Sequence, residues 1–384
     1  MLRAHEVCSI IPPHIYRHIA EHGNEEERRR ARLALEMSSH MRGQREAVAG
    51  MRAAVLEIVP ATKRRTIYDA KHKRDLPGKL VRNEGDARTG DDAADEAYEG
   101  SGKTYDFYSK VYERNSIDGR GLRIDSSVHY SVDYSNAQWN GRQMLYGDGD
   151  GRIFNRFTKA LDVIGHELTH GVTQYSAALE YHDQPGALNE HFSDVFGILV
   201  KQFSLKQTAK KSDWLIGREI FTSRVHGVAV RSMKAPGTAY DDPTIGRDPQ
   251  PAHMKNYVKT HDDNGGVHTN SGIPNHAFYL LATALGGNAW EVAGKIWYVT
   301  LTQKLRHDAK FQTCADATFA AAGELFGKAS EPQQAVAAAW KAVGIDVAEA
   351  VEKRMPLRRA RMSGPGYEPA SGGAEVPSET LTSS

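Results

Sequence analysis

Apolar and polar positions change their rhythm along this chain. From Tyr68 to about Phe157 they fall into short strands and turns, with Leu122 to Tyr130 alternating in part and Gly147-Asp148-Gly149-Asp150-Gly151 forming a tight loop. Leu161, Val163, Ile164, Leu168 and Val172 then recur at helical spacing. Pro185 to Glu190 reads as a turn that opens another helix, running through about Phe203. Ile273 to Leu285, Trp290 to Leu305 and Phe311 to Leu325 keep helical spacing, and Gln333 to Val343 forms a last amphipathic segment. Ahead of the strands, His14 to Met51 is largely helical in pattern, with Glu25-Glu26-Glu27 beside a basic run. No internal repeat is present. From about Met355 the chain is rich in Gly, Pro, Ser and Glu, which predicts a disordered tail over residues 355–384.

Composition narrows the class without naming it. A length of 384 residues allows two domains or one large one. Hydrophobic residues make up 40% and charged residues 25%, as in an ordinary globular protein. Lysine and arginine number 49 against 48 acids, so net charge gives no sign of a nucleic-acid partner. No stretch is long enough to span a membrane. Ile10-Ile11 is cut short by Pro12-Pro13, so no apolar core of a secretory signal develops at the N-terminus. The cysteines are Cys8 and Cys314, which offer no disulfide framework and leave the redox compartment open.

The chemistry concentrates at His166-Glu167-Leu168-Thr169-His170, an H-E-x-x-H pentapeptide. On a helix His166 and His170 share a face, so both imidazoles can reach one metal ion. A catalytic zinc usually takes three protein ligands and keeps its fourth position for water. Glu167 stands beside the first ligand, where it can deprotonate that water. Glu190 and Asp194, four residues apart, share a face of the next helix. One of these carboxylates can ligate the ion while the other accepts the second ring N–H of a ligand histidine. A helix with two surface histidines and a solvated acidic face is the plainer alternative.

Four motifs in order resemble the thermolysin family of metallopeptidases. Asp162 to Thr173 is similar to its zinc helix, and Gly186 to Asp194 to its third-ligand helix. Asp263-Asn264-Gly265-Gly266-Val267-His268 through Gly272 resembles its catalytic-histidine loop, and Ser135 to Gly141 its substrate-binding edge strand. The resemblance runs from about residue 70 to about residue 345. It implies an α+β, two-lobed metallopeptidase fold: a β-rich N-terminal lobe over 66–177, a helical C-terminal lobe over 178–346, and the zinc helix at the cleft base. It further implies one catalytic zinc ion held by His166, His170 and Glu190, with Asp194 behind them and Glu167 as general base. His268, oriented by Asp263, and Tyr181 would hold the oxyanion. Asn136, Ala137 and Arg231 would bind substrate. Phe154, Phe157, Val163, Ile216, Ile220 and Val230 fall where the family lines its specificity pocket, which implies cleavage before bulky hydrophobic residues. Peptide or protein substrates and a monomeric enzyme follow, with no nucleic acid and no membrane.

The short leader with Ile11-Pro12-Pro13 resembles that of the protealysin-like subgroup, which has short propeptides. Residues 1–60 are therefore expected to be a propeptide shed by self-processing, with Lys63-Arg64-Arg65 at the junction; a permanent N-terminal helical domain is the alternative. Secretion is the family expectation, although without a signal peptide non-classical export or intracellular action stays open. Cys8 can be a zinc ligand in the precursor or a plain apolar side chain. The family's paired calcium site is expected to be lost: Asp162 and Asp213 remain, but Lys201, Leu215 and Arg218 stand at three other acidic positions. Calcium elsewhere stays open. A silent protein that binds peptides in its cleft, and an enzyme confined to its leader and one partner, are the competing functions.

Overall fold

The computed structural model describes residues 9–49 and 61–347, with side chains described at 9–37 and 61–347. Cys8 and the tail expected beyond Met355 lie outside the described residues.

Two helices open the chain, α1 (Pro13–His22) and α2 (Glu25–Ala49). Pro13 begins α1, where its missing N–H would have had no partner. The β-rich lobe follows as strands β1 (Arg65–Asp69), β2 (Lys79–Asn83), β3 (Ile124–Val128), β4 (Ala137–Trp139) and β5 (Met144–Tyr146). They form one sheet in the order β2-β1-β3-β5-β4. β1, β3 and β5 run parallel, while β2 and β4 are antiparallel at the two edges.

Between β2 and β3 lies a helix the sequence pattern did not predict, α3 (Asp92–Tyr112), 21 residues long. Its Gly100-Ser101-Gly102 run and many aromatic residues have low helix propensity. Tertiary contact decides instead. Phe107, Tyr108 and Tyr112 are buried, and a Cβ on Gly100 would come within 2.3 Å of Ile164 Cδ1. Asp91 caps α3 by accepting from the amide of Ala94.

The central pair is α4 (Leu161–Gln174) and α5 (Asp183–Leu205), both almost wholly buried. α5 starts earlier than expected: Pro185 to Asn189 is helix, not turn, because a proline in the first turn costs no hydrogen bond. A two-stranded sheet, β6 (Leu215–Ile216) with β7 (Arg231–Ser232), follows. The remaining helices are α6 (Asp263–Asn270), α7 (Gly272–Leu285), α8 (Ala293–Val299), α9 (Phe311–Phe326) and α10 (Glu331–Ala342). The segment expected to be helical from Trp290 to Leu305 is α8 continued by a π-helical turn over Thr300–Lys304. No described helix is long and apolar enough to cross a membrane.

The leader is part of this core. Ile10, Ile11, Ile15, Tyr16 and Ile19 are buried in one cluster with the side chains of both lobes. Arg65 is also buried, stacked on Tyr98 and paired with Glu84.

Candidate active site and metal centre

Close crossing of α4 and α5 builds the centre. A Cβ on Gly197 would stand 2.5 Å from the carbonyl oxygen of Asp162, and one on Gly165 would stand 3.2 Å from Gly197 Cα. The two glycines let the backbones approach until side chains on both helices reach one point. His166 Nε2 is 3.0 Å from His170 Nε2. The Glu190 carboxylate oxygens stand 3.5 Å from His166 Nε2 and 3.4 Å from His170 Nε2. Ligand atoms bound at about 2.0–2.2 Å around a tetrahedral ion lie roughly 3.3–3.6 Å apart. The two separations to Glu190 fall in that range and the two imidazoles stand slightly closer, and Glu190 Oε2 is buried without a hydrogen-bond partner.

The second ring nitrogens are held from behind. His166 Nδ1 is 2.8 Å from Asp194 Oδ1. His170 Nδ1 faces Asn189 Oδ1 at 2.9 Å and Ser193 Oγ at 3.0 Å. Asp194 also takes both prongs of Arg231, at 2.9 and 2.8 Å, and the amide of Asn275 at 2.8 Å. Burial alone would raise its carboxyl, but Arg231 and His166 hold it far below the usual carboxylate range. The sequence suggested Asp194 as a histidine partner and Arg231 as a substrate binder; it gave no sign that one carboxylate serves both. Asn189 and Ser193 were missed, although they are four apart on α5 and so share a face beside Glu190.

Glu167 is fully buried on α4, and its Oε2 accepts the backbone N–H of Trp139 at 2.9 Å. His268 approaches from the other lobe. Asp263, Asn264, Gly265 and Gly266 have φ of 52°, 52°, 84° and 76°. This left-handed run, tolerable at Gly and Asn, turns the chain so that Asp263 Oδ1 meets His268 Nδ1 at 2.7 Å. Burial pulls the imidazole pKa down, but Asp263 and Glu190 outweigh it and raise it to about 9. His268 Nε2 lies 3.2 Å from the hydroxyl of Tyr181, which donates to Glu190 at 2.5 Å.

The leader runs through this cleft. The amide of Ile10 donates to Ala137 O at 3.3 Å, on the free edge of β4 where an extended peptide would pair. The amide of Ile11 donates to Asn136 Oδ1 at 3.1 Å. Arg231 Nη1 donates to Ile10 O at 2.9 Å, and His268 Nε2 is 3.0 Å from Ser9 O. Asn136, Ala137, Arg231 and His268 therefore all engage three consecutive leader residues. Ile10 is fully buried in the apolar cluster that contains Phe154, Phe157, Val163, Ile216, Ile220 and Val230. The sequence marked Ile11-Pro12-Pro13 as leader, but nothing in it foretold that Ser9 to Ile11 fills the cleft.

Hydrolysis on a metal needs a held ion, a base beside it and donors for a developing oxyanion. The two lobes meet around groups suited to all three, so the architecture is that of a metal-dependent hydrolase. Comparison with known proteins supplies the family. Residues 56–174 match the thermolysin metallopeptidase catalytic domain, residues 177–345 its alpha-helical domain, and residues 8–41 the protealysin propeptide. An extracellular metalloprotease of Pectobacterium carotovorum subsp. carotovorum is 49% identical over 354 residues, 90% of this chain and 99% of that one. Protease PrtS of Photorhabdus sp. (strain Az29) is 51% identical over 296 residues, 76% of this chain and 79% of that one. The solved precursor of protealysin, a metalloproteinase from Serratia proteamaculans, superposes with a TM-score of 0.81 at 53% identity, covering 88% of this chain and 99% of that one. The chain belongs to the thermolysin family of metallopeptidases. It is a zinc endopeptidase precursor with a propeptide, in a zinc-dependent family whose His166-Glu167-His170 grouping here is compatible with that ion.

Proposed function

We propose that this endopeptidase cuts peptide bonds on the N-terminal side of bulky hydrophobic residues, and that it first removes its own leader. The observation that carries the reading is the leader in the cleft. Its Ser9 carbonyl meets His268, its Ile10 carbonyl meets Arg231 and its Ile11 amide meets Asn136. These are the contacts a substrate strand would make, with the buried Ile10 standing for the residue after the scissile bond. The leader thereby blocks the site until it is shed.

His166, His170 and Glu190 would hold the zinc ion, with Asp194 orienting His166. Bound zinc would supply Lewis-acid polarisation and lower the pKa of its water. Glu167, its carboxylate buried, would take the proton from the attacking water and pass it to the leaving amine. His268, kept protonated by Asp263, and Tyr181 donate to the oxyanion. Asn136 and Ala137 align the substrate backbone, and Arg231 fixes the carbonyl of the residue after the scissile bond.

The leader spans 1–60 and the two catalytic lobes 66–177 and 178–346 in this reading. The junction lies at the basic run Lys63-Arg64-Arg65 in this reading, next to exposed Ala61 and Thr62 and just ahead of the buried Arg65 of β1. The calcium cage is replaced by charge. Lys201 Nζ lies 2.9 Å from Asp162 and 3.7 Å from Asp213, and Arg218 lies 3.4 Å from Asp213. Heat resistance of the stripped enzyme is expected to recover with zinc alone; full recovery only on adding calcium would remove this part. The mature enzyme acts as a monomer, outside the cell as the named extracellular relatives do.

Intact mass over time, beside Glu167→Ala, tests the main reading. Wild type is expected to shed about 60 residues, the leader length read from the sequence, while the variant stays whole. A peptide panel is expected to favour Leu, Ile or Phe after the cut; a preference for charged residues there would defeat the pocket assignment.

A further inference from the structure

We propose that His72, His129 and Asp148 form a second transition-metal site, built from none of the cleft's donors and taking a zinc-class divalent ion. β1, β3 and β5 are parallel neighbours in the sheet, and these three residues come just past their C-terminal ends. The ends are locked in step: His72 N donates to His129 O at 2.8 Å, and Tyr130 N donates to Tyr146 O at 3.0 Å. Both histidines have left-handed backbone, with φ of 57° and 52°. Their rings lie 5.5 Å apart.

Convergence of the donors suits an ion. One ligand atom from each residue lies within 4.8 Å of the other two. Asp148 Oδ1 is 2.8 Å from His129 Nδ1, and Asp148 Oδ2 is 3.4 Å from His72 Nδ1. The second of these is at the roughly 3.3–3.6 Å separation of ligands around a tetrahedral ion, and the first is a hydrogen-bond distance that a bound ion would open. The far side of His129 is already arranged for ligation. Its Nε2 meets Asp91 Oδ2 at 2.9 Å, while the other Asp91 oxygen caps α3. A carboxylate on one imidazole nitrogen fixes the tautomer that offers the other nitrogen to a metal.

Two imidazoles and one carboxylate select zinc, cobalt, nickel or copper over calcium and magnesium, which require oxygen donors. His72 is 59% exposed and Asp148 35%, so one side of the site is open for entry and for water. A bare ion pair of His129 with its two carboxylates explains part of the cluster. It does not by itself bring in His72, whose own 3.4 Å pair with Asp148 puts a second imidazole on the same carboxylate.

The test is the zinc content of the full-length Glu167→Ala chain, which keeps its leader, after dialysis against buffered zinc. Two equivalents per chain are expected, with one lost in His72→Ala. Asp91→Asn, which still caps α3, should weaken the second equivalent by about 10–100-fold. Circular dichroism identical to the parent shows that each variant folds. One equivalent in the parent that His72→Ala retains overturns the proposal, as does a second that persists in His72→Ala. Displacement of the second zinc by millimolar calcium overturns the assigned class of ion.

Discussion

Two clusters of histidine and carboxylate differ in what carries them. His166, His170, Glu190 and Asp194 stand on two crossing helices and are fully or almost fully buried. His72, His129 and Asp148 stand on turns beyond three strands and face water on one side. The helical cluster is pre-organised because each α-helix fixes the spacing of its own pair and glycines fix the distance between helices. The turn cluster depends on strand register. A helix-borne site therefore announces itself in the sequence as an i, i+4 spacing, whereas a site at strand ends is scattered over 77 positions from His72 to Asp148 and shows no local pattern.

The largest effect should come from the group in the buried cluster that moves the proton. Glu167→Ala is expected to lower kcat by about 10²–10⁴-fold, the usual range for a general base, with zinc content preserved. Loss of zinc alongside activity would mean that Glu167 helps to hold the ion.

Asp194 tests how far the buried cluster depends on one carboxylate. Its removal leaves Arg231 and His166 without their shared partner, in a place with no water to replace it. Unpairing one member of a buried charged set costs about 3–5 kcal/mol, so Asp194→Ala should unfold at markedly lower denaturant concentration. Asp194→Asn retains the hydrogen-bond acceptor and should fall between. Equal stability of Asp194→Ala and wild type would break the contrast drawn here.

The crossing itself is the next target. Gly197→Ala places a methyl group 2.5 Å from the Asp162 carbonyl oxygen, and backbone cannot swing aside. Overpacking of this kind costs about 1–3 kcal/mol. It should also weaken zinc binding, because Glu190 is carried by the displaced helix. A variant that loses stability but keeps its zinc affinity would show that the donor spacing does not depend on this contact.

Much of this was legible beforehand, for reasons that differ by element. The apolar spacing around His166 and the order of the four motifs gave the site because helices impose their period locally. α3 was not legible: Gly100 is set by packing against Ile164, and Phe107, Tyr108 and Tyr112 by packing against Phe203 and Phe196 of α5, not by propensity. The start of α5 was misplaced because Pro185 signals a break in general but is harmless in a first turn. Leader insertion was hidden for a third reason. Ser9, Ile10 and Ile11 carry no motif, and their place follows from hydrogen bonds of their backbone with Ala137, Asn136, Arg231 and His268.

The leader supplies a pH test that links the cleft to its cover. His14 is part-buried against Tyr240, 2.7 Å away. Burial lowers its pKa to about 4; Asp263 pulls it up, while His268, Arg17 and Arg231 push it down. A docked pKa below the free value means that protons bind the undocked leader more readily. Docking strength is full above about 6.5 and falls by about tenfold per pH unit as pH drops toward 4. Hydrogen exchange of the Ile15 and Ile19 amides in the Glu167→Ala precursor should therefore speed up, after correction for intrinsic rates, between pH 7 and pH 5. His14→Gln should flatten that dependence; an unchanged slope would remove His14 as its source.

The smallest effect belongs to the turn cluster without its ion. His72 makes a 3.4 Å contact with Asp148 and its side chain is 59% exposed. Exposed ion pairs contribute about 0–1 kcal/mol at most. In zinc-free buffer His72→Ala should thus match wild type within about 0.5 kcal/mol, the ordinary range for surface substitutions. Adding zinc should open a gap, since an ion that binds only the folded chain raises stability with its concentration. The buried cluster behaves in the opposite way: its variants are costly even without metal, because the charges left behind have no solvent. A His72→Ala penalty that is large in zinc-free buffer would mean that the turn cluster, like the helical one, is a structural network first.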